Sequence, residues 1–280
     1  MMLTLAIIIS LTSSLALAAV AIWHREHIIA CGAQLCILLT LLRVITLPHS
    51  AVLHLSLSIA STLVAAYYWH RERLTLGAAV LAWLVGVVII LLYPPMWMLS
   101  IVFLLGWAHF VGDLTSQRSL LAHSRRRDTT DVVPVVGIIL IGTIFVTNAT
   151  SVAALIVFAA LAFMVNDVLA SELGPLLPGS AHLPPQLVTV PHGTPGAISY
   201  SGMLAGTFGS TNAALCAAVL IHAPSIGLAT FLGGCIAALL DTSLNRTPLR
   251  YALTHGRELI NSLACACAVI ISLLVGLALS

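Results

Sequence analysis

Apolar runs of roughly twenty residues recur along the whole chain, separated by short polar gaps, and nowhere does the pattern alternate residue by residue as a strand would. The spans they predict lie at about residues 3–22, 29–47, 51–69, 74–93, 96–112, 132–147, 150–170, 196–221, 225–241 and 259–279. Each is long enough for a helix to cross a hydrocarbon core roughly 30 Å thick. A helix satisfies its own backbone groups in lipid, and the alternation needed for a transmembrane barrel is missing. The expected fold class is therefore all-α: a polytopic transmembrane helix bundle of about ten spans. The first run has no basic segment ahead of it, so it reads as a span rather than a secretory leader.

Composition sharpens this reading. With 60% hydrophobic residues, 7% charged residues and a mean hydropathy of +1.10, the chain is excluded from the soluble globular class. No nucleic-acid partner is expected, and the bilayer itself is the first partner. The few charges fall in alternate gaps. Arg25, Arg71, Arg73, Arg118, Arg125, Arg126, Arg127, Arg246, Arg250 and Arg257 occupy the odd-numbered loops, whereas the loops near Pro48, Pro94, Asn148 and Pro224 carry no Arg, Asp or Glu. The positive-inside rule then puts the odd loops in the cytoplasm and both termini outside. Arg43 alone among the arginines falls within a span, near an end from which it can snorkel.

Cysteines add no chemistry. Cys31, Cys36, Cys216, Cys235, Cys265 and Cys267 sit in apolar runs and behave as small hydrophobic residues; Cys265 and Cys267 would lie about 200° apart on a helix, unsuited to a disulfide or a zinc site. Two Trp-His-Arg-Glu tetrapeptides, at 23–26 and 69–72, end spans in equivalent positions and read as interfacial belts. His54, His109 and His222 read as packing residues.

The second half of the chain carries different signals. Asp167, Ser171 and Gly174 are spaced i, i+4, i+7 on one helical face, and a carboxylate at the edge of the hydrocarbon is costly unless it is paired or hydrated. It also opposes the dipole at a helix C-terminus, a placement that a bound cation relieves. Gly233, Ala237 and Asp241 repeat the arrangement, with Thr242, Ser243, Asn245 and Arg246 following. Two helix-end carboxylates beside hydroxyls and arginine suit magnesium shared with phosphate oxygens, and equally a proton or sodium pathway. Between them, Pro191-His192-Gly193-Thr194-Pro195-Gly196-Ala197-Ile198-Ser199 precedes a helix containing Gly202, Gly206 and Gly209, an arrangement that aims backbone N–H groups at an anion.

These three segments resemble the motifs of an integral-membrane family long catalogued as of unknown function, which includes the plant phytyl-phosphate kinase. The family's Ala-Ser-Glu-Xaa-Gly helix end is similar to Ala170-Ser171-Glu172-Leu173-Gly174, its Pro-Gly-Thr-Asn-Gly-Gly-Val-Ser turn to 191–199, and its Gly…Asp-Ser-Leu helix end to Gly233 through Asp241-Thr242-Ser243-Leu244. Val168 stands where the family has Thr, Pro195 where it has Asn, and Ala197 where it has Gly. The resemblance covers about residues 74–280 as a prenyl-phosphate-kinase-like membrane domain and leaves 1–73 as an unassigned three-span region.

The resemblance implies a magnesium-dependent kinase that moves a phosphoryl group from a nucleoside triphosphate to a prenyl monophosphate of phytyl or geranylgeranyl type. Distant similarity to dolichol kinase and CDP-diacylglycerol synthase favours CTP as the donor. In that scheme Asp167 and Asp241 hold Mg2+ and Glu172 assists them. Ser171, His192, Gly193, Thr194, Gly196, Ser199, Ser243, Arg118, Arg127, Arg246 and Asn261 contact nucleotide or substrate. The arginine run at 125–127 serves equally as a topology and headgroup signal. A lipid-phosphate cytidylyltransferase and a carboxylate-gated transporter remain open alternatives, the latter with a site near the midplane rather than at one face.

Single-cysteine labelling from either side of sealed vesicles checks the topology. The loop between residues 171 and 195 is expected to react from the cytoplasmic side, and reaction only from outside would invert the orientation.

Overall fold

A computed structural model describes residues 93–116, 150–174, 180–183, 188–191, 194, 196–248 and 256–279, with scattered positions between 63 and 89. The chain divides into two compact units, residues 1–99 with 125–136 and residues 100–124 with 137–280. The described elements are α1 (Pro95–Ser116), α2 (Thr150–Leu173), β1 (Ala181–Leu183), β2 (Val188–Val190), β3 (Ile198–Ser199), α3 (Tyr200–Ile221), α4 (Pro224–Leu244) and α5 (Gly256–Ala278). Among the described residues, four stretches are long and apolar enough to cross a membrane: α2, α3, α4 and Leu259–Ala278 of α5. These helices coincide closely with predicted spans, as does α1. The spans predicted at 3–22, 29–47, 51–69, 74–93 and 132–147 lie wholly or mostly outside the described residues.

Within the second unit, α2 is the central helix. It is apolar around its whole circumference, and every residue from Ala153 to Phe163 is buried, as a helix surrounded by other helices requires. It packs against α3, α4 and α5, and α4 also touches both of the others. The outer helices bury one side and expose large apolar residues on the other: Leu204, Phe208, Leu215 and Val219 on α3, Leu228 and Ile236 on α4, Ile270 and Leu274 on α5. Such a face suits lipid, which is as apolar as leucine and therefore gives no hydrophobic drive for helices to associate. Association must come from close packing instead.

Small residues supply it. A Cβ on Gly209 would meet the Val165 carbonyl at 2.9 Å, one on Gly206 would meet Asn166 Oδ1, and one on Gly234 would meet Ala162 Cβ at 2.7 Å and Ser210 Oγ at 2.9 Å. At that level α2, α3 and α4 therefore touch almost backbone to backbone. A buried polar chain threads the same contact: Asn166 Nδ2 donates to Ser210 Oγ at 2.9 Å, and Ser210 Oγ donates to the Ala162 carbonyl at 3.2 Å. Each such bond contributes only about 0.6 kcal/mol on average. Their larger effect is to fix which faces meet. On the far side of α4, Gly233 lies against Ser272 of α5, whose hydroxyl donates to the Ala229 carbonyl at 3.0 Å.

Two expectations are corrected. The helix expected to begin at residue 196 begins at Tyr200, because Gly196 adopts φ 75° and Ile198 and Ser199 pair with β1. The connection after α2 is also not structureless. It folds into a three-stranded antiparallel sheet in the order β2-β1-β3, with His182 opposite Thr189 on one side and Ile198 on the other. The unit is thus a helical bundle with a small β element between α2 and α3. At the opposite end of α3, His222 takes a left-handed conformation (φ 55°) and Pro224 opens α4, so the two helices form a tight hairpin.

Gly209→Ala is expected to destabilise the protein by about 1–3 kcal/mol despite the better helix propensity of alanine, because the added methyl meets main chain. Gly276→Ala meets only a Leu155 methyl at 2.7 Å and should cost less. Unfolding midpoints of both variants in detergent test this, and equal midpoints would contradict the close-contact account.

Candidate functional site

The end of α2 and the start of α3 are built as one unit. Every helix C-terminus leaves four carbonyls without intrahelical partners. Here Ser201 Oγ donates to one of them, the Gly174 carbonyl, at 3.1 Å. Ser199 is the N-cap of α3, its hydroxyl accepting from the Gly202 amide at 3.0 Å, with Ser201 Oγ 3.3 Å away. A Cβ on Gly174 would meet the Gly202 Cα at 3.1 Å, so the two helix ends approach through paired glycines.

The turn ahead of α3 closes with the Ala197 amide donating to the Thr194 carbonyl at 3.0 Å, while Thr194 Oγ1 donates to the Pro191 carbonyl at 2.7 Å. Gly196 holds its third position with φ 75°, a left-handed conformation that glycine adopts without strain. Gly196 is buried for a second reason. The place where its side chain would stand is filled by the aliphatic stem of Arg246, just beyond the C-terminus of α4. The third motif is thereby seated on the second.

Between these ends lies a cleft of about 230 Å³. From α2 it is lined by Asn166, Asp167, Ala170 and Ser171; from the turn and α3 by Ala197, Ile198, Ser199, Gly202, Met203 and Thr207; and from α4 by Cys235, Ala238, Leu239 and Thr242. Asp167 is exposed, and its carboxylate belongs to the cleft wall. Ser171 Oγ donates to the Val168 carbonyl at 3.0 Å and Thr242 Oγ1 to the Ala238 carbonyl at 2.9 Å. With their protons engaged inside their own helices, these hydroxyl oxygens are left to act as acceptors. One carboxylate with two acceptor hydroxyls is a hard-oxygen donor set, the type magnesium takes together with substrate phosphates. Among the described residues no group of three or more His, Cys, Asp or Glu could form an all-protein metal cage.

The remaining sequence candidates divide. Asp241 does not line the cleft. It continues the buried stripe Thr230, Gly234 and Ala237, about 100° around α4 from the lining face. Its Oδ2 accepts from Asn245 Nδ2 at 2.9 Å, and the same amide donates to the Asp241 carbonyl at 3.0 Å. Asp241 thus organises the end of α4, from which Arg246 reaches the turn. Glu172 is half-buried and is not among the described lining residues. Ser243 is exposed, its hydroxyl bonded to the Leu239 carbonyl at 2.8 Å. Asn261 is half-buried on α5 and is likewise absent from the described lining. His192, Gly193, Arg118 and Arg127 lie outside the described residues.

Sequence reasoning passed over Asn166, Met203, Thr207, Cys235 and Leu239. Their spacing was a usable signal: Ser199, Met203 and Thr207 fall at i, i+4, i+8, and Cys235, Leu239 and Thr242 at i, i+4, i+7, so each set forms one helical face.

Long apolar helices with a partly polar cleft between their ends suit an integral membrane protein. The chain belongs to the family described as Integral membrane protein DUF92, which it matches over residues 59–247, about two thirds of its length and all of the cleft. No curated protein and no solved structure matches it.

Gly196→Ala is expected to cost roughly 1–2 kcal/mol from the left-handed backbone alone, with a further loss from displacing Arg246. In an Arg246→Ala background only the backbone part should remain. A double-mutant cycle on unfolding midpoints reads the difference, and strict additivity would show that the arginine stem does not hold the turn.

Proposed function

We propose that the protein is a magnesium-dependent kinase that converts a prenyl monophosphate to the diphosphate at the cytoplasmic membrane face, drawing the phosphoryl group from a nucleoside triphosphate, with CTP favoured. The observation that supports this most directly is the two-sided character of the cleft. Asp167, Ser171 and Thr242 bring oxygen atoms to a cleft that also holds Ser199 at the start of α3, while Ile198, Met203, Cys235 and Leu239 make its apolar lining. A lipid phosphate has the same two-sided chemistry. The positive end of the α3 dipole favours the anionic headgroup, and Arg246, whose aliphatic stem packs on Gly196, would supply positive charge to it.

A prenyl monophosphate is already an ionised nucleophile, so the reaction needs alignment and charge neutralisation more than a general base. One of its phosphate oxygens forms the new bond to the γ-phosphorus of the triphosphate. The bond from that phosphorus to the bridging oxygen breaks, and its electron pair leaves with the nucleoside diphosphate. Asp167, with the hydroxyl oxygens of Ser171 and Thr242, would hold magnesium, which when bound neutralises phosphate charge. Asp241 acts from outside the cleft as a positioning residue, through Asn245 and the end of α4. The motif resemblance to the phytyl-phosphate kinase family agrees with this reading, and membership of an integral membrane family is compatible with it.

Asp167→Asn should lower turnover of geranylgeranyl monophosphate with Mg2+ and CTP by at least about a hundredfold while leaving the unfolding midpoint unchanged, since a neutral amide cannot balance the metal and nucleotide charge. Asp241→Asn should lose less, because an amide oxygen can still accept from Asn245. Wild-type rates in purified Asp167→Asn protein would overturn the assignment.

A further inference from the structure

The cleft has a closed floor and an open side. Its lining runs along α3 from Ser199 to Thr207, about 12 Å over two turns, and antiparallel along α4 from Thr242 to Cys235. At its inner end the Cys235 thiol reaches the hydroxyls of Thr207 and Ser210, and immediately beyond it Gly234 packs against Ser210 and Ala162 without room for a methyl group. A chain lying in the cleft therefore cannot continue down the middle of the bundle.

The wall formed by α2 is closed at Asn166, which is buried, and polar where it is open, at exposed Asp167 and Ser171. The α3 and α4 wall differs. Met203 and Leu239 line the cleft and each is 45% exposed. Their exposed neighbours Leu204, Phe208, Ile236 and Leu240 make an apolar, lipid-compatible face. The apolar edge of the cleft therefore runs on into that face.

We propose that this edge is a lateral portal to the bilayer: the phosphate of the lipid substrate sits beside Asp167 and Ser171, and its hydrocarbon chain leaves the bundle over α3 and α4 across Met203 and Leu239. The inference rests on the lipid-phosphate reading of the cleft, though not on which bond is made there. The portal assigns chain-length selectivity to Met203 and Leu239. A short substrate ends beside them inside the cleft, whereas a long one must pass over them onto the outer face.

The test uses the full-length protein in nanodiscs. A geranylgeranyl monophosphate carrying a diazirine at the end of its chain is bound and photolysed, and the labelled peptides are sequenced. Label on the outward residues of α3 and α4, around Leu204, Phe208, Ile236 and Leu240, is expected. Label confined to α2 or α5, or no label competed by unmodified geranylgeranyl monophosphate, would overturn the portal. In parallel, Met203→Trp and Leu239→Trp should each raise the Kd for geranylgeranyl monophosphate at least tenfold more than that for dimethylallyl monophosphate, and Leu204→Trp should change neither. Equal losses for both chain lengths, or none, would likewise count against it. Binding and labelling as expected without phosphoryl transfer would retain the portal and dismiss the kinase; turnover with label elsewhere would do the reverse.

Discussion

Close approach of α2 to α3 and α4 is the constraint on which the rest of the second unit depends. In lipid, helices gain nothing by hiding apolar surface from water, so they stay together only where their backbones come near enough for dense packing and a few interhelical hydrogen bonds. Gly206, Gly209 and Gly234 provide that nearness, and the Asn166–Ser210–Ala162 chain selects the register. α2 and α3 stay in close contact as far as Gly174 and Gly202, and the cleft lies along that seam, completed by Cys235, Ala238, Leu239 and Thr242 of α4. The floor of the site and the strongest contact of the bundle are the same residues.

The helix ends are held by their own main-chain chemistry. The Gly174 carbonyl at the end of α2 and the Gly202 amide at the start of α3 are answered by the hydroxyls of Ser201 and Ser199. The small sheet of β1, β2 and β3 gives the backbone of the long connection its own hydrogen bonds and delivers Ser199 to the cap position. Arg246 then ties the end of α4 to the turn at Gly196. Segments separated by many residues along the chain are thereby brought to one cleft by main-chain chemistry, before any ligand is considered.

Much of this was legible in the sequence, for reasons that differ by level. The spans from residue 150 onward stand out because lipid imposes length and apolarity without ambiguity, and their ends agree with the helices to within a few residues. The start of α3 was misjudged, since a run of apolar and small residues after Gly196 does not reveal that Ile198 and Ser199 pair with β1. The strands themselves are two or three residues long, too short for any periodic signature. At the site, Asp167, Ser171 and Ser199 fall on the cleft, whereas Asp241 shows the limit of motif reading. Its neighbour Thr242 faces the cleft, and one residue of helix rotation, about 100°, turns the carboxylate toward the buried stripe instead. Met203 and Leu239 were passed over because an apolar residue in an apolar helix is marked only by its spacing from Ser199 and Thr207 or from Cys235 and Thr242.

The central claim is that the cleft brings a lipid monophosphate and a nucleoside triphosphate together for transfer of the terminal phosphoryl group. Phosphorus NMR of purified protein in nanodiscs, given geranylgeranyl monophosphate, Mg2+ and CTP, reads it without any label or mutation. The account expects the monophosphate resonance to give way to the paired resonances of a prenyl diphosphate, with CDP accumulating in equal amount. An unchanged spectrum, or free pyrophosphate together with a CMP-linked lipid, would contradict it.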